Sequence, residues 1–358
     1  MREEEIKKII KENYYAAGFV NNEYFELPKK SDEPVVEIQS NFSSKHLQQW
    51  IPILVEALYK EDSLDKGGIN SSEIFLSKIY KRIINSEGID VSYETYNGMI
   101  EFITYWSGIE EIELYKMITF SEYKPEYIKE AVKEMLILSK ERAEAKKVIN
   151  SGKYKIILRN DAVKEILNYY IYQSSAEAVY NRISSIKIGE QVQGQNIKGD
   201  LINLTLEPKL ENSIYSAPYD NDGIILERTV IYDRGKLIKY EGDFKHSYYL
   251  NCEATGDIKN VVFSGGSKSI SDMKKEPYLE LSSFSDFQLD VLTGNFGGEI
   301  RLALFFDGKN TKAITGGSIN GNINDVQSNM YLSKETQNCE GFVGPKAIEM
   351  FDISVAGK

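Results

Sequence analysis

Two kinds of hydrophobic pattern follow one another along this chain, and the change between them limits the folds that it can adopt. Through about residue 183, apolar side chains recur at helical spacing or in runs of period two. Beyond Gly189, helical spacing becomes scarce, and short apolar runs are separated by Gly, Asn, Ser and Thr. A chain of 358 residues also exceeds the usual size of one hydrophobic core. The sequence therefore predicts an α+β protein of two domains. These are an N-terminal domain of helices and antiparallel sheet at residues 1–150 and a β-rich C-terminal domain at residues 151–358.

The N-terminal domain is expected to combine helices with a meander. Helical spacing predicts helices over residues 4–15, 43–58, 72–84 and 125–147. Alternating apolar and polar residues predict antiparallel strands over residues 89–96, 99–106 and 112–120. Residues 21–41 contain Pro28, Pro34 and mixed charges, which are typical of a loop.

The C-terminal domain is expected to open with one strand and one helix and then to consist largely of strands. The first strand covers residues 154–158, and the helix, with Asp161 as its cap, runs to about residue 183. Short strands are predicted over residues 201–206, 224–232, 236–241, 260–263, 299–306 and 347–355.

Charge and hydropathy exclude several classes of protein. The chain has 43 Lys and Arg against 54 Asp and Glu, and its net charge of −11 repels phosphate backbones, so nucleic acid is not an expected partner. The charged start, MREEEIKK, does not resemble a secretory signal, and no apolar run approaches the roughly 20 residues of a spanning helix. We therefore expect a cytoplasmic protein without a membrane partner. Cys252 and Cys339 are far apart and are expected to be free thiols.

Three glycine-containing stretches carry the most specific signal in the C-terminal domain. In order they are Ser216-Ala-Pro-Tyr-Asp-Asn-Asp-Gly with Asp233-Arg-Gly-Lys-Leu, then Glu253-Ala-Thr-Gly-Asp with Val262-Phe-Ser-Gly-Gly, then Asp290-Val-Leu-Thr-Gly-Asn-Phe-Gly-Gly with Ile314-Thr-Gly-Gly-Ser-Ile-Asn-Gly-Asn. The turn dipeptides Asp222-Gly223 and Arg234-Gly235 flank a β-branched run, which predicts a strand that opens into a hairpin.

In this order and spacing, the stretches resemble the C-terminal region of the TldD/TldE peptidase family, also known as PmbA or modulator of DNA gyrase. The final Ile353-Ser-Val-Ala-Gly is similar to the family's terminal strand. The resemblance covers most of residues 150–358 and implies a β-rich domain of the PmbA/TldD type. Residues 71–150 fit the family's middle region loosely. Residues 1–70 do not match its usual N-terminal sheet, so part of the first domain is expected to be trimmed or replaced.

The resemblance also implies that the family's zinc motif has been lost. Catalytic members carry H-E-x-x-x-H on the helix after the strand matched by residues 154–158, together with a cysteine near the C-terminus. Aligned on that strand, Asn168 and Gln173 occupy the histidine positions and Tyr169 occupies the glutamate position. Cys339 falls at the position of the cysteine ligand. Since the only histidines are His46 and His246, we expect no catalytic residue, no metal and no cofactor in this chain.

A peptide cleft is predicted in the glycine-containing loops and strands, because an extended peptide can pair with a β-rich surface through its backbone. The residues expected to line it are His246, Asn295, Phe296, Gly297, Gly316, Gly317, Asn320 and Asn322.

The resemblance is closest in type to the TldE (PmbA) subunit, which lacks the zinc motif. It implies a non-catalytic subunit that helps a TldD-type zinc peptidase to act on unfolded or extended peptides, with the zinc in the partner. The alternative is a degenerate homodimer that binds a peptide or protein and has no peptidase activity. Whether the chain has any activity of its own stays open at this point.

Overall fold

The computed structural model describes residues 2–21, 23–62, 66–146 and 149–357. Its helices are α1 (Glu3–Ala17), α2 (Leu47–Tyr59), α3 (Pro125–Glu144), α4 (Asp161–Gln173), α5 (Ala176–Tyr180), α6 (Phe244–Tyr249), α7 (Ile270–Met273) and α8 (Ile323–Val326). Within the described residues, no helix is both long and apolar enough to cross a membrane.

The described residues also form two 3₁₀ helices (Asn41–Ser44 and Gln327–Asn329) and sixteen strands. They are β1 (Gly67–Ile84), β2 (Asp90–Ser107), β3 (Glu111–Phe120), β4 (Gly152–Arg159), β5 (Leu204–Leu206), β6 (Thr229–Asp233), β7 (Lys236–Leu237), β8 (Val261–Phe263), β9 (Tyr278–Leu289), β10 (Asn295–Phe306), β11 (Thr311–Ile314), β12 (Ser318–Asn322), β13 (Tyr331–Leu332), β14 (Thr336–Cys339), β15 (Phe342–Pro345) and β16 (Ala347–Ala356). Helices together with separate sheets confirm the predicted α+β class.

Strands β1, β2 and β3 form an antiparallel meander, and α2 and α3 cover one of its faces. The fully buried side chains between these layers include Phe42, Leu54, Ile100, Phe102 and Val132. Pro125 occupies the first turn of α3, where its missing N–H is not needed. Helix α3 ends at Glu144, before the predicted end, because Ala145 is already extended; Lys147 itself lies outside the described residues.

The predicted helix over residues 72–84 is wrong, because this segment is the second half of β1. Ile74 and Leu76 point to the α2 and α3 side, whereas Phe75 and Ile79 point to the opposite side. Apolar residues on both faces conceal the period of two, and the remaining spacing of isoleucines imitates a helical stripe. The β-branched and aromatic content of the segment was the better guide.

The two strands predicted over residues 89–96 and 99–106 are one continuous strand, β2. The prediction left Asn97 and Gly98 outside both strands. Instead, Gly98 pairs with Phe120 of β3, and a Cβ at Gly98 would lie 2.3 Å from the Phe120 ring. This glycine therefore allows a close side-chain approach within a sheet rather than a reversal of the chain.

Strands from residues 152–356 form a closed ring in the order β10, β12, β16, β4, β9 and back to β10. The pairing of β4 with β9 is parallel, and the other four pairings in the ring are antiparallel. Closure leaves these strands paired on both sides. Of the ring strands and those that pair with them, β9, β11, β12 and β13 had not been predicted.

A second sheet of six strands, β14-β15-β8-β5-β6-β7, shares its core with the ring. Helix α4 lies within this core, where Val163, Ile166, Leu167 and Tyr170 are buried. The helix predicted to run to residue 183 ends earlier, at Gln173. The Ser175 side chain accepts a hydrogen bond from the Ala178 N–H and so begins the separate helix α5.

Residues 23–40 cross the surface without regular structure, as predicted for a loop, and are attached at several points. The Tyr180 hydroxyl donates to Glu23 (2.5 Å), and the Asn85 side chain donates to the Pro28 carbonyl (2.7 Å). Lys209 contacts the Glu37 carbonyl at 2.9 Å. This segment thus links the meander to α5 and to the loop that follows β5.

Candidate functional site

Helix α4 carries Asn168, Tyr169 and Gln173, the three residues that the sequence resemblance aligns with the zinc motif. It begins after Asn160, whose φ of 56° lies in the left-handed region that Asn tolerates better than most residues. The Asn160 side chain donates to the Ser282 carbonyl on β9 at 3.0 Å, which fixes the start of the helix against the ring. Asn168, Tyr169 and Gln173 therefore have defined positions beside the core.

Tyr169 points to α8, which follows β12, and Gln173 points to the loop that follows β9. The Tyr169 hydroxyl donates to Asn324 Oδ1 at 3.0 Å, and burial raises the pKa of this phenol. Gln173 Nε2 donates to the Val291 carbonyl at 3.0 Å. Asn168 instead contacts Glu165 on its own helix, at 3.4 Å.

Two residues predicted for the peptide cleft join this arrangement. Asn322 Nδ2 donates to Asn295 Oδ1 at 2.8 Å and to the Thr293 carbonyl at 2.9 Å. Asn322 Oδ1 accepts from the Asn324 N–H and so begins α8. We refer to Tyr169, Gln173, Thr293, Asn295, Asn322 and Asn324 as the amide network.

Sequence reasoning missed Thr293 and Asn324. For Asn324, the one available signal was the run Asn322-Ile-Asn324. Asn is a preferred residue at the start of a helix, so Asn322 could have indicated that a helix begins there.

The donor set of the amide network does not fit a zinc ion. Zinc is held by imidazole, thiolate or carboxylate, whereas these positions present amides and a phenol that already hydrogen-bond to protein oxygens. Cys339 lies at the end of β14, half-buried against the core, and burial raises the pKa of its thiol to about 11 despite the nearby Lys164 ammonium. Across the described ranges, no group of three His, Cys, Asp or Glu side chains is placed to hold a metal.

The remaining strand residues of the predicted cleft lie on the ring. Gly297 pairs with Asn320 of β12 on one side and with Gln288 of β9 on the other. Asn320 in turn pairs with Ser354 of β16, and its side chain is exposed. Phe296 is buried, and its ring fills the space beside Gly321. The backbone of these strands is thus already paired on both sides, so a peptide at this surface would meet side chains rather than a free strand edge.

Gly316 and Gly317 form the turn before β12. Their φ angles of 86° and 82° lie in the region that favours glycine. The Gly316 N–H donates to the Ile300 carbonyl, and the Ile300 N–H donates to Gly317, so the turn closes against β10. These glycines have a structural role that explains their presence without a ligand.

His246 lies on α6, in a cluster apart from the amide network. Its Nδ1 is 2.9 Å from Asp243 Oδ1, and Asp243 also begins the helix by accepting the His246 N–H. The ring lies 5.8 Å from the Tyr180 ring and 6.5 Å from the Tyr249 ring. Glu23 of the N-terminal segment accepts from both tyrosines, so that segment covers this aromatic cluster.

Near this cluster, Glu241 is a carboxyl group with a strongly shifted pKa. Burial raises its pKa to about 7, and the neighbouring carboxylates Asp257 and Asp243 act in the same direction. The Lys259 ammonium and a hydrogen bond to Ser175 act against them. Around neutral pH, the folded protein therefore holds this proton more tightly than the unfolded chain does.

Replacing Glu241 with Gln should stabilise the protein above pH 7 and have little effect near pH 4. The native pKa lies above the ordinary value of 4.5, so the folded state binds more protons between those two values and the free energy of unfolding falls as the pH rises through them. Glu241→Gln removes a loss of about 3 kcal/mol at pH 8. Urea unfolding at pH 4 and pH 8 measures the difference. An equal effect of the substitution at both pH values would contradict the assignment.

Comparison with known proteins places the chain among a defined set of relatives. Residues 151–357 match the family model described as the PmbA/TldA metallopeptidase C-terminal domain. An uncharacterized protein of Methanocaldococcus jannaschii is 26% identical over 331 residues, which cover 86% of this chain and 74% of that protein.

Solved structures show the same fold at low identity. A proposed modulator of DNA gyrase from Bacteroides thetaiotaomicron has a TM-score of 0.79 at 16% identity, and the match covers 100% of this chain and 84% of that one. TldE from Thermococcus kodakarensis has a TM-score of 0.76 at 16% identity, with 100% and 86% covered.

Proposed function

Because this chain belongs to the PmbA/TldD metallopeptidase family, we propose that it is a non-catalytic, TldE-type subunit that holds extended peptides for a zinc-containing homologue in the cytoplasm. The observation that carries this proposal is the amide network. At the positions that the resemblance aligns with the glutamate and the second histidine of the zinc motif, Tyr169 and Gln173 hydrogen-bond to Asn324 and to the Val291 carbonyl.

The chemistry of peptide hydrolysis supports a division of labour. Hydrolysis of an amide at neutral pH needs an activated water and stabilisation of the developing negative charge. Amides and a phenol already engaged with protein oxygens provide no base for the water, and the Cys339 thiol, with a pKa of about 11, remains protonated. In the proposed assembly, the partner's metal site both activates the water and stabilises the negative charge.

The surface beside the amide network supports a role in holding peptide. Asn295 and Asn320 are exposed on neighbouring strands, and their side-chain amides can each donate to and accept from a peptide backbone. Contact through amides reads the backbone rather than the side chains of the peptide. Modest sequence specificity is the expected consequence.

The purified chain should bind no stoichiometric zinc. The expectation follows from the donor set, in which amides and a phenol replace the ligands that zinc requires. Elemental analysis after dialysis against a mild chelator measures the metal content, with a zinc-containing homologue treated identically as the control. One retained equivalent of zinc in this chain would show a site that the amide network does not account for.

A further inference from the structure

The loop segment that precedes α2 is held to the rest of the protein through its carbonyl groups. We call residues 23–37 the strap. Among the described residues, no hydrogen bond joins a backbone group of the strap to another backbone group. Three side chains donate to strap carbonyls instead: Tyr249 to Glu23 at 2.5 Å, Asn85 to Pro28 at 2.7 Å and Lys209 to Glu37 at 2.9 Å. Every unstructured peptide has such carbonyl groups, so these contacts do not depend on the sequence of the strap.

Two strap side chains add contacts that do depend on sequence. The Phe25 ring meets the Tyr249 ring edge-on at 6.0 Å, and Tyr249 in turn stacks on Tyr180 at 4.9 Å. The Tyr180 hydroxyl donates to the Glu23 carboxylate at 2.5 Å. Phe25 is half-buried in this arrangement, whereas the neighbouring Tyr24 is 76% exposed. The strap thus presents a carboxylate and an aromatic ring to a pair of stacked tyrosines.

The surface beneath the strap is formed by side chains that other parts of the protein hold in place. We call it the strap surface, and its residues are Asn85, Tyr180, Lys209 and Tyr249. Tyr180 and Tyr249 lie on α5 and α6, which pack against each other. Asn85 Oδ1 accepts the N–H groups of Glu87 and Ile89, so its Nδ2 is directed to the strap. Three of the four donors are therefore positioned by contacts that do not involve the strap, which lowers the cost of binding a chain there.

The strap itself is attached more weakly than the surface beneath it. Most of its side chains are exposed, including the apolar Leu27 and Val35. Helix α1, which precedes the strap, has no buried residue and so gives it no further anchor. After the strap, Phe42 is fully buried in the core of the meander. Segments with few buried contacts open locally while the rest of the protein stays folded. The strap can therefore leave its surface by turning about the end that Phe42 fixes.

We propose that the strap surface binds an unstructured peptide from outside the chain, and that the strap is the intramolecular competitor of that peptide. In the closed state, the strap makes the contacts that the peptide makes in the open state. The peptide that fits has a carboxylate, an aromatic ring two residues later and a proline three residues after the ring, as Glu23, Phe25 and the buried Pro28 do. Donors to the peptide backbone supply affinity, and the stacked tyrosines supply selectivity.

The strap surface is separate from the site of the proposed peptidase role. It shares no residue with the amide network and needs no zinc-containing partner. His246, which was predicted to line a peptide cleft, lies beside the strap surface, with its ring 5.8 Å from the Tyr180 ring. Either proposal can therefore fail while the other stands.

Fluorescence anisotropy of a labelled peptide with the sequence of residues 23–37 tests the proposal on the full chain. Phe25→Ala weakens the strap but leaves the strap surface unchanged. It should lower the apparent dissociation constant of the peptide about tenfold relative to the wild-type chain, because the fraction of open molecules rises. Glu23→Ala should act in the same direction by about threefold, so the test does not depend on how one variant folds. Tyr24→Ala, at the exposed neighbouring position, is the matched control and should have no effect. If neither Phe25→Ala nor Glu23→Ala binds the peptide more tightly than Tyr24→Ala does, the proposal is wrong.

A second pair of substitutions, made in the Phe25→Ala chain, shows where the peptide binds. Tyr249→Phe removes the hydroxyl that donates to the Glu23 carbonyl and should weaken peptide binding at least about threefold. Tyr248→Phe makes the same change at the exposed neighbouring position of α6 and should leave the affinity unchanged. A peptide with Ala in place of its Phe should bind the same chain about tenfold more weakly. If Tyr249→Phe has no larger effect than Tyr248→Phe, the peptide binds elsewhere and the strap surface is only a structural contact.

Discussion

Mixed with a cognate zinc-containing homologue, this chain is expected to support metal-dependent cleavage of unfolded peptides, whereas the chain alone should cleave none. The water-activating ligands would reside wholly in the partner, so a chelator should abolish the mixed activity. We expect the cleavage rate of the mixture to exceed that of this chain alone by at least about a hundredfold. Removing even one group that stabilises the transition state commonly lowers the rate of an enzyme by that factor. Release of fluorescence from a quenched, unstructured peptide measures the rate.

Cys339→Ser is the control that tests whether a thiol of this chain takes part in the cleavage. The resemblance aligns this thiol with the family's cysteine ligand, but the thiol is half-buried and protonated, so its loss should leave the mixed rate nearly unchanged. If the isolated chain hydrolyses peptides and Cys339→Ser abolishes the activity, the non-catalytic proposal is wrong. A thiol mechanism would then need a base, and His246 lies in a separate cluster bound to Asp243.

Local signals in the sequence predicted some elements of the fold well. Pro125 marked the start of α3, and the succession of β4 and α4 was recognised from a short apolar run followed by a capping residue. These signals depend on neighbours within one or two turns. The family resemblance, which rests on the order of the glycine stretches, is confirmed by the match over residues 151–357.

The predictions that were wrong or absent depend on long-range pairing. Strand β9 was not predicted because the run Ser282-Ser-Phe-Ser-Asp interrupts its apolar pattern, and its place is set by pairing with β4 and β10. Strand β1 was taken for a helix because apolar residues occupy both of its faces. In both segments, tertiary contacts determine the secondary structure, which local residue preferences alone do not determine.

At the candidate site, too, local sequence signals were sufficient for some residues and long-range contacts decided the rest. Position in the motif identified Asn168, Tyr169 and Gln173 from sequence alone. The partners of Tyr169 and Gln173 could not be identified, because Asn324 of α8 and the Val291 carbonyl lie more than a hundred residues away in the sequence. A backbone carbonyl also carries no signature in a sequence. Whether an amide is free to bind a ligand or engaged with the protein therefore required the structure.

Glu280→Gln should destabilise the protein by about 3 to 5 kcal/mol. Glu280 lies on β9 with only 3% of its surface exposed, and it contacts Arg159 at 2.9 Å and Lys274 at 2.6 Å. Removing one partner of a buried ion pair leaves uncompensated charge, here on two cations. Urea unfolding measures the loss. Glu299→Gln, which alters an exposed pair with Arg301, is the matched control and should cost less than about 1 kcal/mol.

A second substitution distinguishes charge from packing at this position. If uncompensated positive charge causes the loss, adding Arg159→Met and Lys274→Met to Glu280→Gln should recover most of it, because an apolar replacement of a whole buried ion cluster is commonly neutral. If altered packing around β9 causes the loss, the triple variant should be less stable than Glu280→Gln alone. A loss below about 1 kcal/mol for Glu280→Gln would mean that water reaches the cluster and screens it as it does a surface pair.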